Sequence, residues 1–539
     1  MEKKLYEWQE KCLERWFGNH GRGMVQAATG AGKTMLALEA VRRLDEKLSG
    51  ELLVRIVVPN RELMHQWERS LREFLETSFR REKAAGVWNG KERAPGELWK
   101  QIGLKGGGQK STPDRKYMIY VINSARYELA RKILTELREG KSVFLLADEC
   151  HHYGSTQNRL IFEFLPYIRE YEKNYFAMGL SATLPDGEEK SYLESALGRK
   201  IYNYGIAEAS WEQTVCQYDI YHISVDFQDE ERDEYEEMSE HMRQLYSKLL
   251  QHCPSLKEIG LKERFEILGR LCGSRNQSVS ETASRYLMLT YKRKSLVCLA
   301  AERLACVCEL VGRLGIAEKI IIFGERISQA EQLYRILSER YPGRVGRYHS
   351  KMGSQANKNT LSGFGRGDLR ILISCKAIDE GVDVPDASVG IILSGTSRQR
   401  QRIQRLGRII RNAEGKKRAS LYYLHVGESS EDTCFLPYME QSSVFELIYR
   451  EKEEGFQNPP YDEAAQELLR NMLEKGADGK FMEEAKRCIR LGAVRPDWRR
   501  DAKWLAAKSE KEEDVRERNY WVCMKWLAEF RSEANYLHT

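Results

Sequence analysis

The sequence predicts an α/β protein: two parallel-sheet domains in tandem, a helical insertion between them and a C-terminal helical domain. Three observations predict it. Short apolar runs of strand length alternate with helix-like segments up to about residue 212 and again from about 319 to 426. Between them, Glu230 to about Leu314 is charged, Leu-rich and helical in period, and the chain reads as helical again from about 441. With 539 residues, roughly 150 per domain gives about three or four domains. The boundaries read as 1–212, 213–314, 315–440 and 441–539.

The elements follow in order. Gly23–Ala27 is a strand that runs into a glycine-rich turn, and a helix starts at Lys33. Leu52–Val58, Tyr117–Ile122, Ser142–Ala147 and Tyr175–Leu180 are further apolar runs. Strands buried on both faces read this way, which implies a parallel sheet covered by helices. From 82 to 116 the pattern lapses, and Gly106-Gly107-Gly108-Gln109-Lys110-Ser111-Thr112-Pro113 reads as a flexible surface loop. Tyr218–Val225 is one more strand ahead of the helical insertion. Lys319–Phe323, Arg370–Ser374, Ser388–Leu393 and Ala419–Val426 build the second sheet, and Asn458-Pro459-Pro460 interrupts the final helical stretch.

Composition narrows the class. The chain is 42% hydrophobic and 31% charged, as expected of a well-packed globular protein. A formal net charge of +6 permits nucleic-acid binding without arguing for it, because both signs are dense throughout. The N-terminus has no apolar core of signal-peptide length, and no run approaches the ~18 apolar residues of a membrane span. The twelve cysteines include no Cys-x-x-Cys, and the Cys306/Cys308 spacing suits zinc poorly. A cytoplasmic protein with reduced thiols, no zinc finger and no membrane partner is expected.

The chemistry begins at Ala27-Ala28-Thr29-Gly30-Ala31-Gly32-Lys33-Thr34, between a strand and a helix. Backbone N–H groups of such a loop wrap phosphate oxygens, and the helix N-terminus adds its dipole. Lys33 is expected to reach the β- and γ-phosphates of ATP and Thr34 to ligate Mg²⁺; Ala27 stands where such loops usually begin with glycine. Asp148 and Glu149 end an apolar strand, at the side of the sheet where α/β proteins bind ligands. Asp148 is expected to hold Mg²⁺, and Glu149 to position and deprotonate the attacking water. His151 and His152 lack a third ligand for a metal, and His151 reads instead as coupling the nucleotide site to the rest of the protein.

These motifs occur in a fixed order with Gln9, Val58-Pro59-Asn60-Arg61-Glu62-Leu63, Ser181-Ala182-Thr183, Asp379-Glu380-Gly381-Val382-Asp383-Val384-Pro385 and Gln404-Arg405-Leu406-Gly407-Arg408-Ile409-Ile410-Arg411. As a set the chain resembles superfamily 2 DExH-box helicases, and is similar to the branch with XPB/Ssl2-like helicases and restriction-enzyme helicase subunits. The resemblance covers about residues 1–430 and implies two RecA-like domains.

It also implies roles. Gln9 reads adenine, and Thr29, Gly30, Ala31 and Gly32 hold the phosphates with Lys33 and Thr34. Ser181 and Thr183 link hydrolysis to domain movement. Gly381 and Asp383, with Glu380, belong to the second domain's nucleotide contact. Gln404 lies near the γ-phosphate, and Arg408 and Arg411 act as arginine fingers that reach across from the second sheet domain. A polynucleotide is expected over the tops of both sheets, on Arg61, Ser124 and Arg126 in the first domain and Arg326, His349, Ser350 and Ser374 in the second. Contacts of this kind hold phosphates rather than read bases.

The expected activity is ATP hydrolysis coupled to translocation along nucleic acid, with DNA favoured over RNA by the branch, and with strand separation or remodelling as the output in repair or antiviral defence. Two other readings stay open: the motor subunit of a restriction or defence complex, and an ATP-gated clamp that does not unwind. The tryptophans and arginines of 487–526 read as core packing or as a protein-docking surface before a base-stacking platform.

Overall fold

The computed structural model describes residues 5–84, 98–112, 114–375, 387–394, 405–410, 416, 418–431, 443–453, 455–495 and 497–537. These fall into two compact units. The first holds the described residues of Met1–Gln217 and Arg398–Ala419, the second those of Tyr218–Lys376, Ala387–Ser397 and Ser420–Thr539.

The first unit is built on a sheet of β1 (Arg22–Ala27), β2 (Leu52–Val58), β3 (Ile102–Gly106), β4 (Gln109–Lys110), β5 (Tyr117–Val121), β6 (Ser142–Asp148), β7 (Tyr175–Ser181) and β8 (Lys200–Tyr204), in the order β4-β3-β5-β2-β6-β7-β1-β8. The pairs β3·β5, β5·β2, β2·β6, β6·β7, β7·β1 and β1·β8 are parallel. Every residue of β5 is buried, and so is all of β6 after Ser142. Such strands have no solvent face, which is why they read as unbroken apolar runs. Arg55 of β2 is nonetheless fully buried, and it pairs with buried Glu136 at 2.6 Å.

The glycine run departs from the expected free loop. Gly107 and Gly108 turn an antiparallel hairpin between β3 and β4 at the sheet edge. Gly106, Gly107 and Gly108 have φ of 105°, 58° and 90°, which side chains rarely adopt. A Cβ on Gly107 would lie 3.0 Å from Arg61 Cγ, so the turn also needs glycine to pass that side chain. The preceding strand is hidden in the sequence because Gly103 and Lys105 interrupt its apolar pattern.

The second unit has β9 (Gln217–Val225), β10 (Ile320–Gly324), β11 (Val345–Tyr348), β12 (Ile371–Cys375), β13 (Val389–Ile392), β14 (Arg418–Val426), β15 (Ser443–Arg450) and β16 (Gly455–Gln457), in the order β11-β12-β10-β13-β14-β9-β15-β16. Each sheet carries parallel strands between helices, as the sequence predicts. The strand ahead of the insertion, β9, is an internal strand of this second sheet. The stretch after 441 is not helical throughout. β15 runs parallel to β9, with Phe445, Leu447 and Tyr449 buried at a period of two and Val444 exposed; its interleaved Glu446 and Arg450 mask the strand pattern.

The insertion forms as helices Asp229–His252, Leu261–Leu271, Gln277–Leu299 and Glu302–Leu314. Arg303, fully buried, ties it to the sheet by donating to the carbonyls of Val297, Leu393 and Leu424 and by pairing with Glu431. The C-terminal helices Pro459–Glu474, Gly479–Gly492, Ala502–Lys511 and Val515–Leu537 enclose their own core of Tyr461, Leu468, Cys488, Trp498, Tyr520 and Met524. Tyr422 Oη on β14 donates to Val494 O at 2.8 Å and docks this bundle on the sheet. Among the described residues no helix is long and apolar enough to cross a membrane.

Candidate functional site

The loop expected to hold phosphate follows β1. Gly30 and Gly32 take φ of 88° and 92°, so the chain reverses into the Lys33–Lys47 helix with its first N–H groups free of capping side chains. Gln9, 2% exposed, accepts from Tyr6 N at 2.8 Å and donates through Nε2 to Gly32 O at 2.9 Å. A Cβ on Gly32 would meet that Nε2 at 2.8 Å. The segment expected to read adenine is therefore bonded to the loop expected to hold phosphate. Trp8 secures it by stacking on Tyr204 at 4.6 Å. Lys33 Nζ folds back on the loop, donating to the carbonyls of Ala27 at 3.0 Å and Ala28 at 3.3 Å. Thr34 is half-buried in the first helical turn, and Thr29 and Ala31 complete the loop.

The acidic pair ends β6. Glu149 sits at φ 48°, ψ 49°, a left-handed conformation uncommon outside glycine. That turn lets Asp148 Oδ1 accept from Glu149 N at 3.0 Å, while Trp67 Nε1 donates to Oδ2 at 2.7 Å. Burial pushes both carboxyls up from their ordinary values. The Trp67 bond and the Lys33 charge work against this at Asp148. The charges of Lys33 and Arg408 do so at Glu149, where the neighbouring Asp148 adds to the rise.

His151, Ser181 and Thr183 come together. Ser181 Oγ donates to Thr183 O at 2.6 Å, so its single proton is used; His151 Nδ1, 2.8 Å from that Oγ, must then be the donor. The same Nδ1 lies 3.3 Å from Glu149 Oε2. The end of β7 is thereby linked to the carboxylate through one imidazole.

The 405–410 segment is a helical turn whose contacts group it with the phosphate loop rather than with the second sheet. A Cβ on Gly407 would sit 2.3 Å from Thr29 Cβ, and Ile410 O accepts from Cys216 N at 2.9 Å. Arg408 is 8% exposed, and its charge acts on Glu149. Gly381, Asp383, Gln404 and Arg411, with Glu380, lie outside the described residues.

Two family models match this chain in succession. "Type III restriction enzyme, res subunit" matches residues 2–186, and "Helicase conserved C-terminal domain" matches 302–413. The chain belongs to the superfamily 2 helicases. Within them it falls in the branch of XPB-like translocases and restriction-enzyme subunits. The helicase is 24% identical over 413 residues to DNA 3'-5' translocase XPB2 of Sulfurisphaera tokodaii, covering 76% of this chain and 79% of that one. In fold it is similar to the Hef helicase domain of Pyrococcus furiosus, with TM-score 0.51 and 17% identity over 79% of this chain and 96% of that one. It is also similar to the DUF1998 helicase MrfA bound to DNA, with TM-score 0.50 and 13% identity over 78% and 49% of the two chains.

The helicase's expected nucleic-acid contacts divide by exposure. Arg61 is exposed at the start of the Arg61–Ala84 helix, with Nε 3.4 Å from His65 Nε2. Ser124 is half-buried beside the glycine hairpin, and Arg126 donates to Asn158 Oδ1 at 2.8 Å. Arg326 begins the Ile327–Arg340 helix, and Ser350 is exposed. His349 and Ser374 do not reach solvent. Ser374 is 2% exposed at the end of β12, and His349 is 4% exposed with Nε2 bonded to Glu331 Oε1 at 2.5 Å, so that ring shapes its loop instead of meeting a phosphate.

Trp67 is the site residue that sequence reasoning missed. On an amphipathic helix a buried indole reads as core, and no spacing in the sequence relates it to a carboxylate 81 residues away.

Proposed function

We propose that this helicase couples ATP hydrolysis to movement along DNA, as a translocase or strand-separating motor. The observation that carries the reading is the convergence of the Gly30–Thr34 loop, Asp148, Glu149 and Arg408 within one compact unit. Loop N–H groups would bind phosphate oxygens, and Lys33 would leave the carbonyls of Ala27 and Ala28 for the β/γ-phosphates. Glu149 would accept the proton of the attacking water, which a carboxyl raised by burial does more readily. Arg408 would stabilise charge that develops on the transferred group. The refolding of Ser181 and Thr183 around His151 would pass the loss of that group to the end of β7.

Among the described residues no group of three or more His, Cys, Asp or Glu side chains could hold a metal by itself. One carboxylate and one hydroxyl, Asp148 and Thr34, nevertheless suit Mg²⁺, which binds through few protein ligands together with substrate phosphates and water. Bound there, Mg²⁺ would supply charge neutralisation to the phosphates.

Arg61, Ser124, Arg126, Arg326 and Ser350 are the proposed phosphate contacts. DNA is preferred because the relatives are named for DNA. A second reading, the motor subunit of a restriction or defence complex, is favoured by the match to a restriction-enzyme subunit over 2–186. A protein partner would then dock on the C-terminal helices, where Leu473, Phe481 and Trp504 are 67%, 49% and 44% exposed.

The test is ATP turnover of wild type and Lys33→Ala with single-stranded DNA, duplex DNA and RNA. DNA-stimulated turnover that vanishes in Lys33→Ala is expected. Wild-type turnover in that variant would overturn the site, and stimulation by RNA alone would overturn the choice of DNA.

A further inference from the structure

Asp148 is held from a direction that the ATP site itself does not require. Trp67 lies on the Arg61–Ala84 helix, 1% exposed, and its indole N–H donates to Asp148 Oδ2 at 2.7 Å. An indole can donate but not accept, and a buried carboxylate left without donors is costly, so each group needs the other. The rest of Asp148 is fixed locally: Oδ1 takes Glu149 N–H at 3.0 Å, and the main-chain carbonyl takes Tyr153 Oη at 2.8 Å. Both local bonds come from within five residues of Asp148. The Trp67 bond ties the carboxylate to a separate helix.

That helix begins at Arg61, which is exposed and whose side chain passes the glycine hairpin at Gly107. Trp67 and Arg61 are six residues apart, under two helical turns, so a rigid helix carries a displacement of its first turn to the indole. Trp67 is buried, Leu63, Met64 and Leu71 of the same helix are buried with it, and the helix is continuous from Arg61 through Trp67.

We infer that Trp67 is a positioning residue that holds Asp148 in the geometry for Mg²⁺ and relays polynucleotide engagement at Arg61 to the nucleotide site. This rests on the proposed ATP-dependent DNA activity and adds the route by which DNA stimulates it. Partners that orient a metal ligand typically control about 10- to 100-fold in metal affinity or activity.

The experiment compares wild type, Trp67→Phe, which deletes the donor and keeps an aromatic ring, and Trp67→His, which restores an N–H. Mn²⁺ affinity is read by electron paramagnetic resonance with a non-hydrolysable ATP analogue, with and without saturating single-stranded DNA. Thermal unfolding checks that each variant is folded. Trp67→Phe should weaken Mn²⁺ about tenfold or more, lower DNA-stimulated kcat more than it raises KM for ATP, and abolish the tightening of Mn²⁺ by DNA; Trp67→His should recover part of each. A folded Trp67→Phe with wild-type Mn²⁺ affinity and DNA response overturns the inference. If neither Trp67 variant folds, the linkage itself decides: DNA should tighten Mn²⁺ binding to wild type and not to Arg61→Ala, and equal tightening in both overturns the relay. A wild type without DNA-stimulated turnover would instead sink the proposed activity, so the two failures are distinct.

Discussion

Adding one methyl group at Gly407 should uncouple hydrolysis from ATP binding. Gly407 is helical with an ordinary φ, so Ala is permitted by the backbone and favoured by helix propensity. The obstacle is Thr29. The new Cβ would lie 2.3 Å from Thr29 Cβ and 3.0 Å from its Oγ1, well inside the 3.4–4 Å of ordinary contact. Thr29 precedes Gly30 in a loop whose Gly30 and Gly32 both take left-handed φ, so it cannot retreat without disturbing that loop. Overpacking of this kind costs about 1–3 kcal/mol. If that cost falls on seating the 405–410 turn, the population with Arg408 beside Glu149 drops by roughly 5- to 150-fold. Steady-state ATP turnover with saturating DNA should fall by a comparable factor, while binding of a fluorescent ATP analogue changes by less than about threefold. Arg408→Ala should show the same split, because a group that acts only on developing charge contributes to turnover and not to ground-state binding. Gly407→Ala with turnover within about twofold of wild type would refute the argument that this close approach is needed for hydrolysis.

Further outcomes are expected elsewhere. Glu136→Ala leaves Arg55 charged and fully buried, and breaking such a pair costs about 3–5 kcal/mol, so the unfolding midpoint should fall by roughly 6–20 °C; an unchanged midpoint in calorimetry would show that the carbonyls of Val54, Arg115 and Lys116 suffice for the guanidinium. Arg61→Ala should weaken single-stranded DNA binding across sequences and reduce the slope of log K against log salt by about one, measured by fluorescence anisotropy; an unaltered slope removes Arg61 from the track. Burial pushes the Cys12 thiol up to about 12, so it stays protonated at pH 8. Cys12→Ser should therefore leave the fast phase of labelling by a thiol reagent unchanged, and loss of a fast-reacting thiol would contradict the burial.

What could be read in advance follows from which forces are local. Strands such as β5 and β6 are buried on both faces, so their apolar runs are explicit in the chain. β15 has no legible strand pattern because Glu446 and Arg450 interleave its buried Phe445, Leu447 and Tyr449, and pairing with β9 and β16 selects the strand. The glycine run concealed a hairpin because a two-residue β4 has too few residues to show alternation. At the site, residues joined by a loop or a turn were legible together: Gly30 to Thr34, Asp148 with Glu149, Ser181 with Thr183. The loop position of His349 shows in the sequence, while its bond to Glu331, eighteen residues earlier, does not.

The sequence by itself determined the two-sheet α/β class and marked the Gly30–Thr34 loop, the acidic pair and the arginine segment as candidates, because each depends on backbone conformation and chemistry within a few residues. Tertiary structure decided which of these meet. It put the turn of Gly407 and Arg408 against Thr29, set His151 between Ser181 and Glu149, and brought Trp67 to Asp148. Those contacts are matters of distance between segments far apart in the chain, and no local pattern encodes a distance of that kind.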